Sequence, residues 1–600
     1  MGRTKKIADA PEITPSKYQE EIFNFIEHGN GNLLIEANAG CGKTTTMVKA
    51  ISLIDKDKKI LFCAFNNDIV KDIEKKVKGW DNVTVSTVHS LGFTILKNNF
   101  RDLTIELDEF KYKKELVKNL ANGYSSINTY LLGKKTYNQY FQNILRLIDL
   151  MRYNLATTKK DSIEIIQRYD LNIIADEVDV AIKAMDWGKR NFQSVDYTDM
   201  VWLPNVLYLK PIGCQFDFIF GDECQDFSAV QRELLLKCNK INTRFIFCGD
   251  QNQSIYGFSS ADINSFKKLK ELPNMHSLPL PISYRCASKI VNFAKTIVPS
   301  IEENNDGRVG DIEFKCSMSN VQDGDMILCR NNAPLMKIYN DYIKMGKKCY
   351  IRGRDFGSNL KKLVEDTNME ELNQDLSKDG VFVRLYDSLF ELRDKIAKQE
   401  QIELKDAEQT ETFNNRLDAI RTLDILSNDI NTASELKRKI DGIFSDKTKE
   451  GIMLSTVHKA KGLEANRIFI ACESLMPSKS ARLPWEKIQE TNLRYVAFTR
   501  AKNFLGFLDE TEFKLFINDN VQESLNLIEY KVNSILGKKR SKELTFAHVK
   551  ETISKNERIE KPNYNNVVQG LQSHSITQPI RRNLNDIARK KLTRFNFFIK

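Results

Sequence analysis

The chain has 600 residues, 41% of them hydrophobic and 28% charged, with a formal net charge of +10. That length exceeds what one hydrophobic core serves, so several globular domains of ordinary composition are expected. No run of about 18 apolar residues is present to cross a bilayer, which argues against a membrane protein. The opening Met1-Gly2-Arg3-Thr4-Lys5-Lys6 lacks the apolar core of a secretory signal. The 11 cysteines are scattered with no Cys-x-x-Cys, and the 6 histidines are dispersed. Reduced thiols in an intracellular protein, and no structural zinc, are the expectation. Residues 531–600 hold 16 Lys/Arg and 5 Asp/Glu, a net of +11, so the tail carries the whole net charge and the body is close to neutral. Such a tail is either a solvated end or an appendage that grips nucleic acid through salt-sensitive, sequence-independent contacts.

In chain order, the first chemical signal follows a short β-like run, Leu33–Ile35. It is Ala37-Asn38-Ala39-Gly40-Cys41-Gly42-Lys43-Thr44, and it opens a segment with helical spacing at Met47, Val48, Ile51 and Ile54. Strand, glycine loop and helix start are the context of a phosphate-binding loop. The glycines let the backbone approach phosphate oxygens, and the helix amides point at the same place. Lys43 would reach the β/γ-phosphates, and the Thr44 hydroxyl would ligate Mg²⁺. Further β-like runs, Ile60–Ala64 and Val83–Val85, alternate with helical segments; residues 96–190 then read as a helical insertion.

Strand-like runs return at Phe218–Phe220 and Phe245–Cys248. The first delivers Asp222 and Glu223 at its C-terminal end, where α/β sheets bind ligands. Asp222 would hold Mg²⁺, and Glu223 would polarise the attacking water. Alone, such an acidic pair also fits a helix-capping turn; downstream of a phosphate loop it gains force. The second run leads to Gln253, an amide able to bond both that water and the γ-phosphate, although spacing alone does not separate it from a polar turn. A second set of runs, Met326–Cys329, Tyr350–Ile351, Ile452–Ser455, Ile468–Ala471 and Phe504–Leu508, predicts a second parallel sheet. Residues 359–446 between them are helical and charged, a second insertion.

Over residues 15–510 the chain resembles the superfamily 1 helicases of the UvrD/Rep type. The signatures appear in order: Pro15-Ser16-Lys17-Tyr18-Gln19, the phosphate loop, Ala64-Phe65-Asn66-Asn67, Thr87-Val88-His89-Ser90, Asp222-Glu223-Cys224-Gln225-Asp226, Gly249-Asp250 through Phe258, Tyr284-Arg285, Leu328 through Ala333, Thr456 through Glu464, and Tyr495 through Ala501. The wording of the first-core motifs and the short second insertion look most like the F-box DNA helicase branch, without an F-box. The resemblance implies an α/β fold of two RecA-like P-loop NTPase cores with parallel sheets, each carrying a helical insertion, plus a basic C-terminal extension. The domains expected are residues 1–95 and 191–275 (first core), 96–190 (first insertion), 276–358 and 447–515 (second core), 359–446 (second insertion) and 516–600 (extension).

The resemblance also implies roles. ATP would be held by Gln19, Asn38, Ala39, Gly40, Cys41, Gly42, Lys43, Thr44, Thr45, Tyr284 and Glu464, with Gln19 reading adenine, Tyr284 stacking on it and Glu464 touching the ribose. Lys43, Glu223, Gln253, Arg285 and Arg500 would act in hydrolysis; the two arginines reach the γ-phosphate from the second core, which suits an always-charged, forked side chain. Mg²⁺ would sit on Thr44 and Asp222. Phe65, Tyr256 and Phe258 would stack on bases, and Asn66, Thr87, His89, Arg330, Thr456, His458 and Lys459 would contact the backbone of single-stranded DNA. Two departures from the relatives stand out: Ser259-Ser260 replaces the usual Arg-Gly, and Ala50 stands where an adenine-stacking Arg is common. The expected function is an ATP-dependent 3′→5′ DNA helicase acting as a monomer on single strands and single/double-strand junctions. An ATP-switched translocase that removes proteins with little unwinding is the alternative. The expected location is cytoplasm or nucleoid, or the nucleus or a viral factory, depending on host.

Overall fold

Two six-stranded sheets, each wholly parallel, organise the chain. The computed structural model describes residues 14–64, 66–123, 137–169, 171, 173, 175–257, 262, 264–352, 354–444, 450–517 and 521–538. The first sheet comprises β1 Asn32–Ala37, β2 Ile60–Ala64, β3 Val83–Thr87, β4 Phe216–Gly221, β5 Asn239–Gly249 and β6 Met275–Leu280. Their order is β3-β2-β4-β5-β1-β6. The second comprises β7 Asp311–Cys316, β8 Met326–Cys329, β9 Cys349–Ile351, β10 Ile452–Thr456, β11 Ala465–Ile470 and β12 Ala501–Leu508, ordered β7-β12-β11-β8-β10-β9. Helices cover both faces, so inner strands are unbroken apolar runs; every residue of Ile60–Ala64 and of Met326–Cys329 is buried.

The first insertion is clipped at its root, where Glu106–Leu107 pairs with Ser194–Val195. Between those ends lie helices Lys111–Gly123, Tyr137–Tyr153, Lys159–Arg168 and Ala175–Arg190. Their apolar faces share one core with Val88–Asn99 and Tyr197–Val206, through Ile144, Leu147 and Trp202. Lys111 and Arg152 are buried there against Asp199 at 2.6 and 2.8 Å, paired as buried charges must be.

The second insertion contains helices Arg354–Glu365, Val381–Glu400, Glu411–Leu426 and Ala433–Ile443. It is docked on the second core by Asp418, whose carboxylate accepts from the backbone N–H groups of Asn332 and Ala333 at 2.9 Å each. These are the first amides of helix Asn332–Lys344, so the insertion supplies that helix with its N-terminal counter-charge.

The structure corrects several expected boundaries. A break at 275/276 would cut β6, which belongs to the first sheet. That strand escapes notice because Pro279 interrupts its apolar pattern; at a sheet edge a proline leaves no ladder bond unmade. Residue 96 lies inside helix Val88–Asn99, and 359 inside Arg354–Glu365. The expected extension 516–600 does not begin as a tail: helix Val521–Leu536 packs Leu525 and Val532 into the core of the second insertion, and its Glu529 lies 2.6 Å from Arg393. Residues 539–600 lie outside the described residues.

Candidate nucleotide and nucleic-acid site

The phosphate loop leaves β1 and turns through Gly40 and Gly42, at φ +72° and +75°, before helix Lys43–Ser52 starts. Only glycine takes this left-handed geometry without cost. Gly40 also has no room for a side chain, since a Cβ would lie 2.5 Å from that of Arg285. The loop is bonded to the second core on both flanks. Tyr284 N–H donates to Gly40 O at 2.9 Å, and Ala39 N–H donates to the Tyr495 hydroxyl at 2.9 Å. The loop therefore lies in the seam between the cores.

β4 brings the two carboxylates to the same seam. Glu223 has φ +52°, a left-handed turn uncommon for a non-glycine residue. Its Oε1 lies 2.7 Å from Lys43 Nζ, with the two side chains 20% and 13% exposed. Burial alone would raise the Glu223 carboxyl, but Lys43 and then Lys461 outweigh it and hold it below the usual range. Asp222 is pushed the other way, by burial and then by the Glu223 charge. Its Oδ1 accepts from Glu223 N–H at 2.9 Å.

β5 lies between β1 and β4 and delivers Gln253 to the gap. The Gln253 amide donates to Asp250 Oδ2 at 2.6 Å, and its Oε1 accepts from Arg500 Nη2 at 3.0 Å. Arg500 is 1% exposed and also donates to the backbone oxygens of Val496 and Leu463 and to the Thr499 hydroxyl. Burial, then the neighbouring Arg285, pushes its guanidinium down to about 9, so the pocket favours an added anion. Arg285 Nε donates to Glu464 Oε2 at 2.6 Å, and Lys502 lies 2.6 Å from the same carboxylate.

At the far end, Gln19 Nε2 donates to Thr46 Oγ1 at 2.9 Å, and Gln19 Oε1 accepts from the Tyr284 hydroxyl at 3.4 Å. Asn38 bonds Ser300 Oγ at 3.3 Å. Cys41 is buried, its thiol pushed up to about 12 by burial, while Thr44 and Thr45 are half-buried in the first helical turn.

Lys461 and Asp226 join the site although the sequence pattern assigns neither an individual role. Lys461 Nζ lies 2.5 Å from Asp226 Oδ2 and donates to Gln253 O at 2.6 Å, which ties the second core to the carboxylate motif of the first. Burial pushes Asp226 up to about 6 against the pull of Lys461. Both stand inside recognised signatures, and that was the available signal. Gln225 is a third: its amide donates to Glu223 Oε2 and its Oε1 accepts from Asp250 N–H at 3.1 Å.

The predicted nucleic-acid contacts divide into two groups. Asn66, Thr87 and His89 lie at or just past the C-terminal ends of β2 and β3. Asn66 and Thr87 each cap the next helix, accepting from Ile69 N–H at 2.9 Å and Ser90 N–H at 3.1 Å. Burial lowers the His89 imidazole, opposed by Asp196. In the second core, Arg330 and His458 line one cleft with Trp485, Gln489 and Glu490. The Arg330 fork is held by Glu490, at 3.0 Å from Nε and 2.8 Å from Nη2. Burial, then Arg330, pushes His458 down to about 3. Lys459 Nζ lies over the Phe356 ring at 5.6 Å, and Thr456 is buried at the end of β10. The Tyr256 hydroxyl crosses the seam to donate to His458 O at 3.1 Å. Phe65, Phe258 and Ser259-Ser260 lie outside the described residues.

Residues 18–274 match the UvrD/REP helicase N-terminal domain family, and residues 336–508 the UvrD-like helicase C-terminal domain family. The ATP-dependent DNA helicase Rep of Buchnera aphidicola (subsp. Acyrthosiphon pisum) is 25% identical over 298 residues, 46% of this chain and 44% of that protein. The ATP-dependent DNA helicase PcrA of Leuconostoc citreum is 24% identical over 300 residues, 46% of this chain and 38% of that protein. The F-box DNA helicase protein 1 of Schizosaccharomyces pombe is 24% identical over 525 residues, 81% of this chain and 56% of its own length. The chain thus spans under half of the length of these Rep and PcrA relatives. The paired parallel sheets, the phosphate loop in their seam and the two domain families matched in order lead to one conclusion: the chain belongs to the UvrD/Rep-type helicases of superfamily 1.

Proposed function

We propose that the protein is an ATP-driven DNA helicase that steps 3′→5′ along single-stranded DNA and parts the duplex at single/double-strand junctions, working as a monomer. The observation that carries the reading is the Arg500–Gln253 bond, which sets a second-core cation and a first-core amide side by side in the seam that holds Lys43 and Glu223. A γ-phosphate entering that seam meets Lys43, Gln253, Arg285 and Arg500. It competes with Glu223 for the Lys43 ammonium, so binding itself frees the carboxylate. Glu223 then accepts a proton from the attacking water as the bond between the γ-phosphorus and its bridging oxygen breaks, with ADP and phosphate as products. The cations neutralise charge that builds up in the transition state.

Thr44 and the raised carboxyl of Asp222 fit a hard divalent cation, since two oxygen donors suffice for Mg²⁺ that keeps its waters. Mg²⁺, when bound, supplies further charge neutralisation at the β- and γ-phosphates. Gln19 and Tyr284 bond each other across the cores and fit the adenine. Arg285 must exchange Glu464 for phosphate on closure, which leaves Glu464 to the ribose.

The nucleic-acid path is proposed to run from Asn66, Thr87, His89 and Tyr256 to Arg330, Thr456, His458 and Lys459, gripped alternately by each core as the cleft closes and opens. Residues 539–600, with 14 Lys/Arg, add sequence-independent affinity. The deciding experiment measures phosphate release with oligo-dT against oligo-rU, and strand and protein displacement on duplexes with 3′ or 5′ tails. Stimulation by DNA and displacement only from 3′ tails are expected. Displacement of bound protein without strand separation would favour the translocase alternative. No stimulation by either polymer would overturn the proposal.

A further inference from the structure

Trp485 stands at the second position of helix Pro484–Phe498 in the second core, yet its partners lie in the first insertion. Its indole Nε1 donates to the backbone carbonyl of Arg168 at 3.3 Å. Its ring meets that of Tyr169 edge-on, with centroids 6.3 Å apart and planes at 63°. The insertion side is anchored: Arg168 Nη1 donates to Asn154 Oδ1 at 3.1 Å, and Tyr169 packs on the apolar core beneath it.

The same helix runs back to the nucleotide seam with contacts at each turn. Gln489 abuts Gly257 so closely that a Cβ there would lie 2.0 Å from the amide nitrogen. Asn492 Nδ2 donates to the carbonyls of Gln251 and Ser254, at 3.4 and 3.0 Å. The Tyr495 hydroxyl takes the Ala39 N–H of the phosphate loop. Positions 485, 489, 492 and 495 recur at three- and four-residue spacing, a single stripe of one helix.

These contacts close a circuit. The first core carries the first insertion, the insertion touches Trp485, and the second core returns to the first through the seam. The cleft beside Trp485, lined by Arg330, His458, Gln489 and Glu490, lies on that circuit. We propose that the Trp485 contact is a clasp that closes the cleft into a ring around one polynucleotide strand, and that the 485–495 stripe ties the clasp to the phosphate loop. The inference rests on the nucleic-acid reading above. It goes further in stating that the strand is topologically enclosed and that nucleotide state reaches the enclosure along one helix.

The test uses the full chain with Tyr169→Cys and Trp485→Cys, bound to circular or linear oligo-dT and then joined by a short bis-maleimide. The described native cysteines are buried except for half-buried Cys349, and the unsubstituted chain controls for them. After cross-linking and denaturation the circle is expected to stay threaded on the protein, while the linear strand slips off. In parallel, Trp485→Ala should speed dissociation from linear oligo-dT by about tenfold or more, with Trp485→Phe between it and wild type. A circle that binds before cross-linking yet comes free afterwards would overturn the clasp and leave the motor reading standing. Binding of neither strand before cross-linking would overturn both.

Discussion

Glu223→Gln separates charge from shape at the centre of the proposed chemistry. In the seam the Lys43 ammonium is 2.7 Å from this carboxylate and is also drawn by Asp222 and Asp250. Glutamine keeps the volume and an acceptor oxygen but removes the charge and the base. Breaking a buried ion pair typically costs about 3–5 kcal/mol. Here the side chains are 20% and 13% exposed and two other carboxylates remain, so the empty protein should lose about 1–3 kcal/mol. The sign with pH follows from the depressed Glu223 carboxyl. Its contribution is present above the ordinary value of 4.5 and is lost as pH falls below it, and the variant has none of it to lose. Catalytically, loss of a general base should slow turnover by about 10²–10⁴-fold, with ATP and DNA still bound. Denaturant melts of the empty protein and DNA-stimulated phosphate release measure the two halves. Undiminished turnover would refute Glu223 as the base, and an unchanged melt would refute the stabilising role of its pair with Lys43.

Arg500→Lys keeps a charge but loses the fork that holds Gln253 Oε1 and the Val496 and Leu463 carbonyls. Turnover should fall by about 10³-fold or more, with a much smaller change in ATP affinity; single-turnover phosphate release reads it. Asp418→Asn removes the counter-charge from helix Asn332–Lys344 and should cost about 1 kcal/mol in a denaturant melt, an unchanged midpoint being the contrary result. His458 is held down to about 3 in the folded chain against 6.5 unfolded, so the unfolded state binds the extra proton. Stability should therefore fall as pH drops below about 6.5, by up to about 1.4 kcal/mol per unit for this one group, and His458→Gln should flatten that part of the profile.

The inner strands were legible because both faces are buried and their residues are apolar without interruption. Ile60–Ala64 and Met326–Cys329 were read to the residue. Within the two six-stranded sheets, the strands that the runs omit are both edges. Met275–Leu280 contains a proline, and Asp311–Cys316 is mostly exposed, so neither carries the apolar run that burial imposes. Among the site residues, position was readable and partnership was not. The phosphate loop and the two carboxylates announce themselves by local pattern. That Arg330 would face Glu490, or Arg285 Glu464, depends on segments 160 and 179 residues apart, which only the folded sheets bring together.

The limit of sequence similarity is not the limit of folding. The C-terminal family match stops at residue 508, but Leu525 and Val532 on helix Val521–Leu536 plug the far bundle, and Glu529 neutralises Arg393 inside it. A recombinant fragment trimmed at the homology border would bare an oily face and take from the Arg393 guanidinium one of its three carboxylate partners, which invites aggregation. Anyone dissecting the basic tail should therefore cut beyond Lys538, past helix Val521–Leu536 and the bond from Lys538 to Asp387.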